Sequence, residues 1–392
     1  VAINYTPPPY GLIEDDATWK RALDCFRAAF RRRPHLGIDI ESDGFFRYPE
    51  KTCLIQLGAD NEVAILDPLS VRDISALGEI MADPSIQKIF HGCDHDLRSL
   101  NRDYGFTAEN IFDSHVAIQM FTPEAPGLGN AIKAYLGVEL PKPVKIQRSD
   151  WSQRPLSDEA LDYAAGDSAY LLPLRDLIQA ELDEKGRSSW AQEEFSILSK
   201  IRYVPPPPIE EDCLDAKGTY DLSPQELAIY REIYIFRDSE ARKLGRPPFK
   251  VVSNDFLLEL ARNPRTNPRD IHGVSERWLG TAWRGLEAAL ARGMKAEPVI
   301  HPSRYRHTPN PWRDDSSARF SRLKEVRGVK ATELNIRPST LWPGTALEKL
   351  ALDPGILEQE LTGTSQYGVR NWQREVFGGE IRRTLEEMSK GR

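Results

Sequence analysis

The sequence predicts an α/β domain over the first half of the chain and all-α helical domains over the second. Three observations carry this. Up to about residue 200, short β-patterned runs alternate with stretches of helical spacing. Pro205 to Pro208 then form a proline run that suits a semi-rigid boundary. Beyond that run the strong patterns are helical. At 392 residues the chain has room for two or three domains, each with its own core.

Taken in order, residues 1–10 carry Pro7-Pro8-Pro9 and read as an extended lead-in. From Asp15 to Arg33, Trp19, Leu23, Phe26 and Phe30 fall at helical spacing, with arginines at the end where the helix dipole favours them. Leu36–Glu41 alternates as a strand, Ile38 and Ile40 on one face and Asp39 and Glu41 on the other. Thr52–Leu57 and Glu62–Leu66 read as the next strands, with a turn around Gly58 to Asn61. Ile74–Met81 is a helix candidate and Lys88–Phe90 a short buried strand. After Asp96, Leu97 and Leu100 begin another helix. Ser157 suits a helix N-cap, with Asp158 and Glu159 at the positive end and Leu156 and Leu161 as a hydrophobic staple. Gly166 in that helix costs about 1 kcal/mol relative to alanine, so close backbone packing is expected there. Past the prolines, Ser223-Pro224-Gln225-Glu226 opens a helix, and helices continue through Phe256–Ala261 and Ser275–Leu290.

Composition narrows the class. Hydrophobic residues make up 40% of the chain and charged residues 28%, as in ordinary soluble proteins. No apolar run reaches membrane-span length and the N-terminus lacks a signal-peptide pattern, so no membrane partner is expected. Cys25, Cys53, Cys93 and Cys213 form no Cys-x-x-Cys pair and read as reduced thiols, pointing to a cytoplasmic protein. The net charge is −7, unevenly spread. Pro34 to Asp113 holds fifteen acidic and six basic residues, whereas His301 to Lys330 holds eight basic and three acidic. An acidic region followed by a basic one suits a polyanionic substrate with cations mediating at the acidic end.

The residues that could carry chemistry are few. Asp39 and Glu41 at i and i+2 of a strand bring like charges together, which calls for solvent or a cation. Either a solvated edge strand or a divalent-metal cradle satisfies that pattern. His91-Gly92-Cys93-Asp94-His95-Asp96 follows a strand. His91 and His95 lack the zinc pattern His-Glu-x-x-His. The run either caps the helix or delivers Asp96 as a further carboxylate at a strand end, where ligands gather in α/β sheets. Asp113 is another acid at a strand end that could equally cap a helix. Tyr163 and Asp167, four apart, share a helix face.

These pieces stand in an order that resembles the tyrosine-bearing branch of the DEDD exonuclease superfamily, the ribonuclease D family in particular. The supporting segments are Gly37-Ile38-Asp39-Ile40-Glu41, Cys53-Leu54-Ile55-Gln56-Leu57, Ile111-Phe112-Asp113-Ser114, Ser149-Asp150-Trp151-Ser152-Gln153-Arg154-Pro155-Leu156-Ser157 and Tyr163-Ala164-Ala165-Gly166-Asp167. They span roughly residues 10 to 205; Ser114 stands where the family pattern has threonine. The resemblance implies a ribonuclease H-like fold, a mixed sheet flanked by helices. It implies two divalent ions per site, Mg2+ or Mn2+, held by Asp39, Glu41, Asp96 and Asp167. Asp39 would bridge the ions, Glu41 and Asp167 complete the site that activates water, and Asp96 supports the second ion. Tyr163 would hold the attacking water; an unperturbed tyrosine pKa near 10 favours orientation over proton abstraction. The implied reaction releases nucleoside 5′-monophosphates stepwise from single-stranded RNA 3′ ends, tRNA precursors among them, with no obligate protein partner. Two rivals are a 3′–5′ exodeoxyribonuclease and a catalytically idle RNA-binding protein.

Arg237–Arg242 and Gly245–Pro248 resemble the HRDC domain, a small helical module. Leu257-Leu258-Glu259-Leu260-Ala261-Arg262-Asn263-Pro264 recurs ninety residues later as Leu347 to Pro354, and Arg246-Pro247 as Arg337-Pro338. A second, degenerate module follows from these echoes. No nucleotide-triphosphatase signature accompanies the modules. The expected organisation is an exonuclease domain over 1–204, a proline-rich linker over 205–220, an HRDC domain over 221–300, a basic linker over 301–330 and the degenerate module over 331–392. In the basic linker, Arg304, Arg306, Arg319 and Arg322 are candidate nucleic-acid contacts, with Arg313, Lys324, Tyr305 and Trp312 interleaved. A solvated linker is the alternative. Everything past the prolines reads as a substrate-holding arm, so a chain cut near Pro205 is expected to fold and still cleave; the alternative is a folding support packed on the nuclease core, which an insoluble truncated domain would favour.

Overall fold

A computed structural model describes residues 5–140, 144–301, 312–363 and 368–390. The strands are β1 (Tyr10–Ile13), β2 (His35–Ser42), β3 (Thr52–Ala59), β4 (Glu62–Leu66), β5 (Gln87–Phe90) and β6 (Ile111–Asp113). They form one mixed sheet in the order β1-β4-β3-β2-β5-β6. β1 and β4 are parallel, as are β2 with β5 and β5 with β6, while β3 and β4 are antiparallel. β1 lies where the sequence reads as lead-in: only its last residue, Ile13, is buried, so it carries no alternation to betray it. The strand β3 runs to Ala59, leaving Asp60 and Asn61 as the turn, and Asp60 takes a positive φ of 48° there.

Helices α1 (Asp16–Arg32), α2 (Ser75–Ala82) and α3 (Asp94–Tyr104) cover one face of the sheet. Trp19, Leu23 and Phe26 of α1 are buried with Leu36, Ile38 and Ile40 of β2. Opposite lie α4 (Ser114–Ile118), α5 (Leu128–Leu136), α7 (Asp158–Ala169), α8 (Leu171–Glu184) and α9 (Ser188–Leu198), after the short α6 (Val144–Gln147). Gly37 of β2 faces this second layer, since a Cβ there would stand 3.1 Å from Leu171 Cβ. By the two-residue period of a strand, Asp39 and Glu41 face it too.

The chain divides into two compact units. The first holds residues 1–41, 52–203 and 310–392; the second holds 42–51 and 204–309. The second unit comprises α10 (Ile209–Asp212), α11 (Pro224–Leu244), α12 (Pro248–Val251), α13 (Asn254–Arg262) and α14 (Glu276–Lys295) around Tyr230, Phe256 and Leu286. Ser223 and Glu226 close a capping box at the start of α11. The distal module belongs to the first unit: α15 (Asp314–Glu333), α16 (Pro338–Leu341), α17 (Gly344–Leu352), α18 (Leu357–Thr362) and α19 (Asn371–Lys390). The order of α15, α16 and α17 repeats that of α11, α12 and α13, and their lengths differ by one residue at most, as the sequence echoes imply. The stretch expected to be a basic linker is helical from Asp314 onward. Leu323 and Ala331 give α15 a buried stripe, and that stripe outweighs the charge density that suggested a solvated segment.

The distal module shares one hydrophobic cluster with the sheet, Leu347 and Phe377 packing in the same core as Phe112 and Phe195. Trp190 of α9 stacks on Trp372 of α19, ring centroids 4.6 Å apart. Glu193 accepts from the first backbone N–H groups of α19, at 2.8 Å from Asn371 N, and Glu194 pairs with Arg370. Asn335 and Arg337 donate to the carbonyls of Phe121 and Pro123. Among the described residues no helix is long and apolar enough to cross a membrane.

Candidate active site

The site forms because parallel strands end together. β2 and β5 are in register from His35 opposite Gln87 to Gly37 opposite Ile89, so Asp39 and Glu41 lie just past the point where β5 gives way to α3. α3 begins at Asp94 and carries Asp96 in its first turn, 8% exposed. From the opposite layer, α7 presents Tyr163 and Asp167 on one face. Ser157 caps α7 by accepting from Ala160 N, and Leu156 and Leu161 pack in the same core, as a staple requires.

Two further groups fix these elements. The carboxylate of Asp113 accepts from Gly92 N at 3.0 Å, Cys93 N at 2.8 Å, His115 N at 2.9 Å and Val116 N at 3.1 Å. It therefore caps α4 and also clamps the turn that launches α3, where Gly92 has a φ of +87°. The open question about Asp113 is resolved in favour of capping. Arg154 reaches Asp67 through Nε at 2.6 Å and Nη2 at 2.9 Å, and also the carbonyls of Cys53 and Trp151. That network pins the loop leading into α7. Sequence reasoning missed both the Arg154–Asp67 pair and its purpose; the signal lay in an arginine inside a recurrent motif and an acid directly after a strand.

Close approach of α7 to the sheet is permitted at Gly58, not at Gly166. A Cβ on Gly58 would stand 2.7 Å from the carbonyl oxygen of Ser168, whereas one on Gly166 would meet only Leu140 Cδ1 at 4.0 Å. The expected tight packing at Gly166 is thus corrected: the small residue that matters sits on β3.

Asp39, Glu41 and Asp167 offer carboxylate oxygens that all lie within 4.8 Å of one another, the only grouping of that kind among the described residues. All three are partly exposed. Asp96 stands outside this tight trio, yet its charge acts on Glu41. Burial, then the charges of Asp39, Asp167 and Asp96, push the Glu41 pKa up to about 10. Burial raises Asp39 to about 6. Asp96 is raised well above the carboxylate range by burial and by the charges of Asp39, Asp113 and Asp94. Tyr163 is raised by burial, by the charges of Asp167, Glu41 and Asp39, and by its hydrogen bond to Asp167. Its ring lies 6.1 Å from that of buried Trp151.

Mutual repulsion of this kind is relieved by protons or by a cation, and an all-oxygen donor set suits a hard divalent ion. The cluster fits a metal. His91 does not: it engages Ser114 through Nδ1 and the Pro126 carbonyl through Nε2, leaving neither ring nitrogen for zinc.

A family model described as 3′–5′ exonuclease matches residues 18–183, the stretch holding Asp39, Glu41, Asp96, Tyr163 and Asp167. A second, HRDC domain, matches residues 226–280. Ribonuclease D of Granulibacter bethesdensis is 28% identical over 89% of this chain and 86% of its own. The first half of this chain is thus matched by a 3′–5′ exonuclease model, and curated relatives that align with most of the chain are ribonucleases D. Among solved structures, the catalytic core of RRP6 from Trypanosoma brucei is 26% identical over 76% of this chain and 85% of its own, with a TM-score of 0.62. Escherichia coli RNase D, described as an exoribonuclease involved in structured RNA processing, shares the fold across 97% of this chain and 99% of its own, at 22% identity and a TM-score of 0.68. The ribonuclease D-like fold thus extends to the distal helical module.

Of the proposed distal contacts, Arg304 and Arg306 lie outside the described residues. Arg319 is largely covered, donating through Nε to the Ala351 carbonyl at 2.8 Å and pairing with Asp315. Arg322 is more exposed and pairs with Glu325. Neither arginine approaches the five-residue cluster in sequence, and both are committed to contacts within the distal module.

Proposed function

We propose that this chain is a metal-dependent 3′–5′ exoribonuclease that trims RNA 3′ ends one nucleotide at a time, tRNA and other stable-RNA precursors being its natural class. The observation that carries this reading is the convergence of Asp39, Glu41 and Asp167 with Tyr163 bonded to Asp167. Asp39, Glu41, Asp167 and Asp96 would hold Mg2+ or Mn2+, two ions per site. Bound there, such ions acidify water and neutralise the phosphoryl charge.

The chain's own residues do the rest. Tyr163 keeps its proton far above neutral pH, so it holds the attacking water by hydrogen bonding and does not deprotonate it. Water oxygen joins phosphorus as the P–O3′ bond breaks. The released O3′ takes up a proton, the attacking water having given one up, and becomes the new 3′ hydroxyl of the shortened strand, while a nucleoside 5′-monophosphate leaves. Asp113 and Arg154 position α3 and α7 for this through their hydrogen bonds.

The test is a 3′-labelled RNA and its DNA counterpart with Mg2+, Mn2+ or EDTA. The expected result is labelled 5′-monophosphate from RNA with either ion and none with EDTA. Faster release from DNA would replace this reading by an exodeoxyribonuclease, and cleavage unaffected by EDTA would remove the metal.

A further inference from the structure

The strand β3 is buried along its whole length, and Gln56 stands in the middle of it. Gln56 is 0% exposed, and neither its amide oxygen nor its amide nitrogen bonds any group among the described residues. The side chain lies on the face that meets α7. Gly58, two residues on, approaches Ser168 of α7, and Leu54, two residues back, packs in the core cluster that holds Ala160 and Ala164. The two-residue period of a strand puts Gln56 on that face with them. Asp39 and Glu41, on the neighbouring strand β2, face the same layer. In return α7 offers little to bond. Ala160, Ala164 and Ser168 fall at i, i+4 and i+8, so this buried stripe carries two methyl groups and one hydroxyl. Ser168 is also 0% exposed, and its Oγ likewise has no partner among the described residues.

The two orphaned groups are neighbours. A Cβ on Gly58 would lie 3.7 Å from Ser168 Cβ, and same-face residues of a strand are about 6.8 Å apart. The Cβ atoms of Gln56 and Ser168 are therefore at most about 10.5 Å apart, a gap that the two side chains and one or two waters bridge. Three hydrogen-bonding atoms buried without partners are costly, and bridging water is the usual relief. The amide nitrogen donates, the amide oxygen accepts and the hydroxyl does both, which is the complement that a buried water needs. We propose that Gln56 and Ser168 hold ordered water between β3 and α7, and that this water seats α7 so that Asp167, the residue before Ser168, meets Asp39 and Glu41. Direct contact at Gly58 fixes α7 at one point, and the water supplies a second. Gln56 and Ser168 are then positioning residues. The water site stands on packing alone; its effect on Asp167 rests on the metal-dependent reading above.

The full chain carrying Gln56→Met, Ser168→Ala or both tests this. Methionine keeps the bulk of glutamine and removes both polar atoms. Mg2+ binding is measured by calorimetry on the folded proteins without substrate. Each single variant is expected to bind Mg2+ about 10-fold more weakly, and the double variant no more than about 20-fold, because the first change already releases the water. Gln56→Met should also melt below the parent, and a crystal structure of the unaltered chain should show water within hydrogen-bond distance of the Gln56 amide. Single losses that multiply to about 100-fold in the double variant overturn the shared water, as does parental Mg2+ affinity in both single variants. A higher melting temperature for Gln56→Met, or a Gln56 amide bonded directly to protein in the crystal, overturns it too. An unaltered chain that binds no Mg2+, while its crystal holds the water on Gln56 and Ser168, sinks the metal-dependent reading and keeps the water site.

Discussion

The carboxylates of the site oppose one another, and that has a measurable cost. Glu41 goes from an ordinary 4.5 to about 10 on folding, so between those values the folded chain binds more protons than the unfolded one. Stability from protonated Glu41 is complete below about pH 4.5 and is lost as pH rises toward 10. Without divalent cations the melting temperature should therefore fall from pH 5 to pH 9, and Glu41→Gln should flatten the slope; an unchanged slope in that variant refutes the assignment. Asp39→Asn should lower metal-dependent cleavage more than about 100-fold while the metal-free protein melts no lower than the parent. Near-parental turnover would remove Asp39 from the metal site. Tyr163→Phe keeps the ring and removes the hydroxyl. It should lower kcat by about 10- to 100-fold and move apparent Mg2+ affinity less than about twofold. A defect repaired by excess Mg2+ would instead make Tyr163 a metal-supporting group.

At the scale of elements, the position of α7 against β3 decides whether Tyr163 and Asp167 meet the strand carboxylates. Gly58 and Gly166 make opposite predictions. Gly58→Ala drives a methyl to 2.7 Å from a backbone carbonyl that cannot rotate away, so it should destabilise by about 1–3 kcal/mol and lower kcat as α7 shifts. Gly166→Ala adds a methyl in open space on a helix and should stabilise by roughly 0.5–1 kcal/mol. Denaturant unfolding of the two variants checks both signs; matching signs would mean that the α7–β3 contact is not the constraint. The motif around Gly58 and the motif around Gly166 were both readable as sequence, but nothing in either said which glycine faced backbone.

At the scale of the molecule, the two helical modules have parted company. The first, with Phe45 and Tyr48 from the nuclease segment, is a unit in itself, whereas the second is built into the core of the first unit. The expectation that a chain cut near Pro205 folds is therefore corrected. Such a cut removes Trp372 from Trp190 and strips the α19 start from Glu193, leaving apolar surface on α9 and beside Phe121. The truncated chain should be aggregated or melt far below the full chain, and Trp372→Ala in the full chain should cost about 3–5 kcal/mol. A monomeric, cooperatively melting fragment ending at Tyr203 would show that the distal module is dispensable to the fold.

The sequence by itself determined the strands and helices with strong periodicity and the repetition of helical modules, and it singled out the five residues proposed for the site. Alternation and helical spacing are local, and the site residues lie in ordered motifs whose spacing survives without coordinates. β1 escaped because an edge strand with one buried residue has no pattern to show. Only the tertiary structure decided that Asp39, Glu41 and Asp167 close to within 4.8 Å while Asp96 stands outside, and that Asp113 caps α4 and clamps the turn before α3. It alone assigned the distal module to the nuclease core and Ser42–Lys51 to the other unit. Those outcomes depend on which faces meet across long stretches of chain, and packing of that kind leaves no periodic trace in the residues that take part.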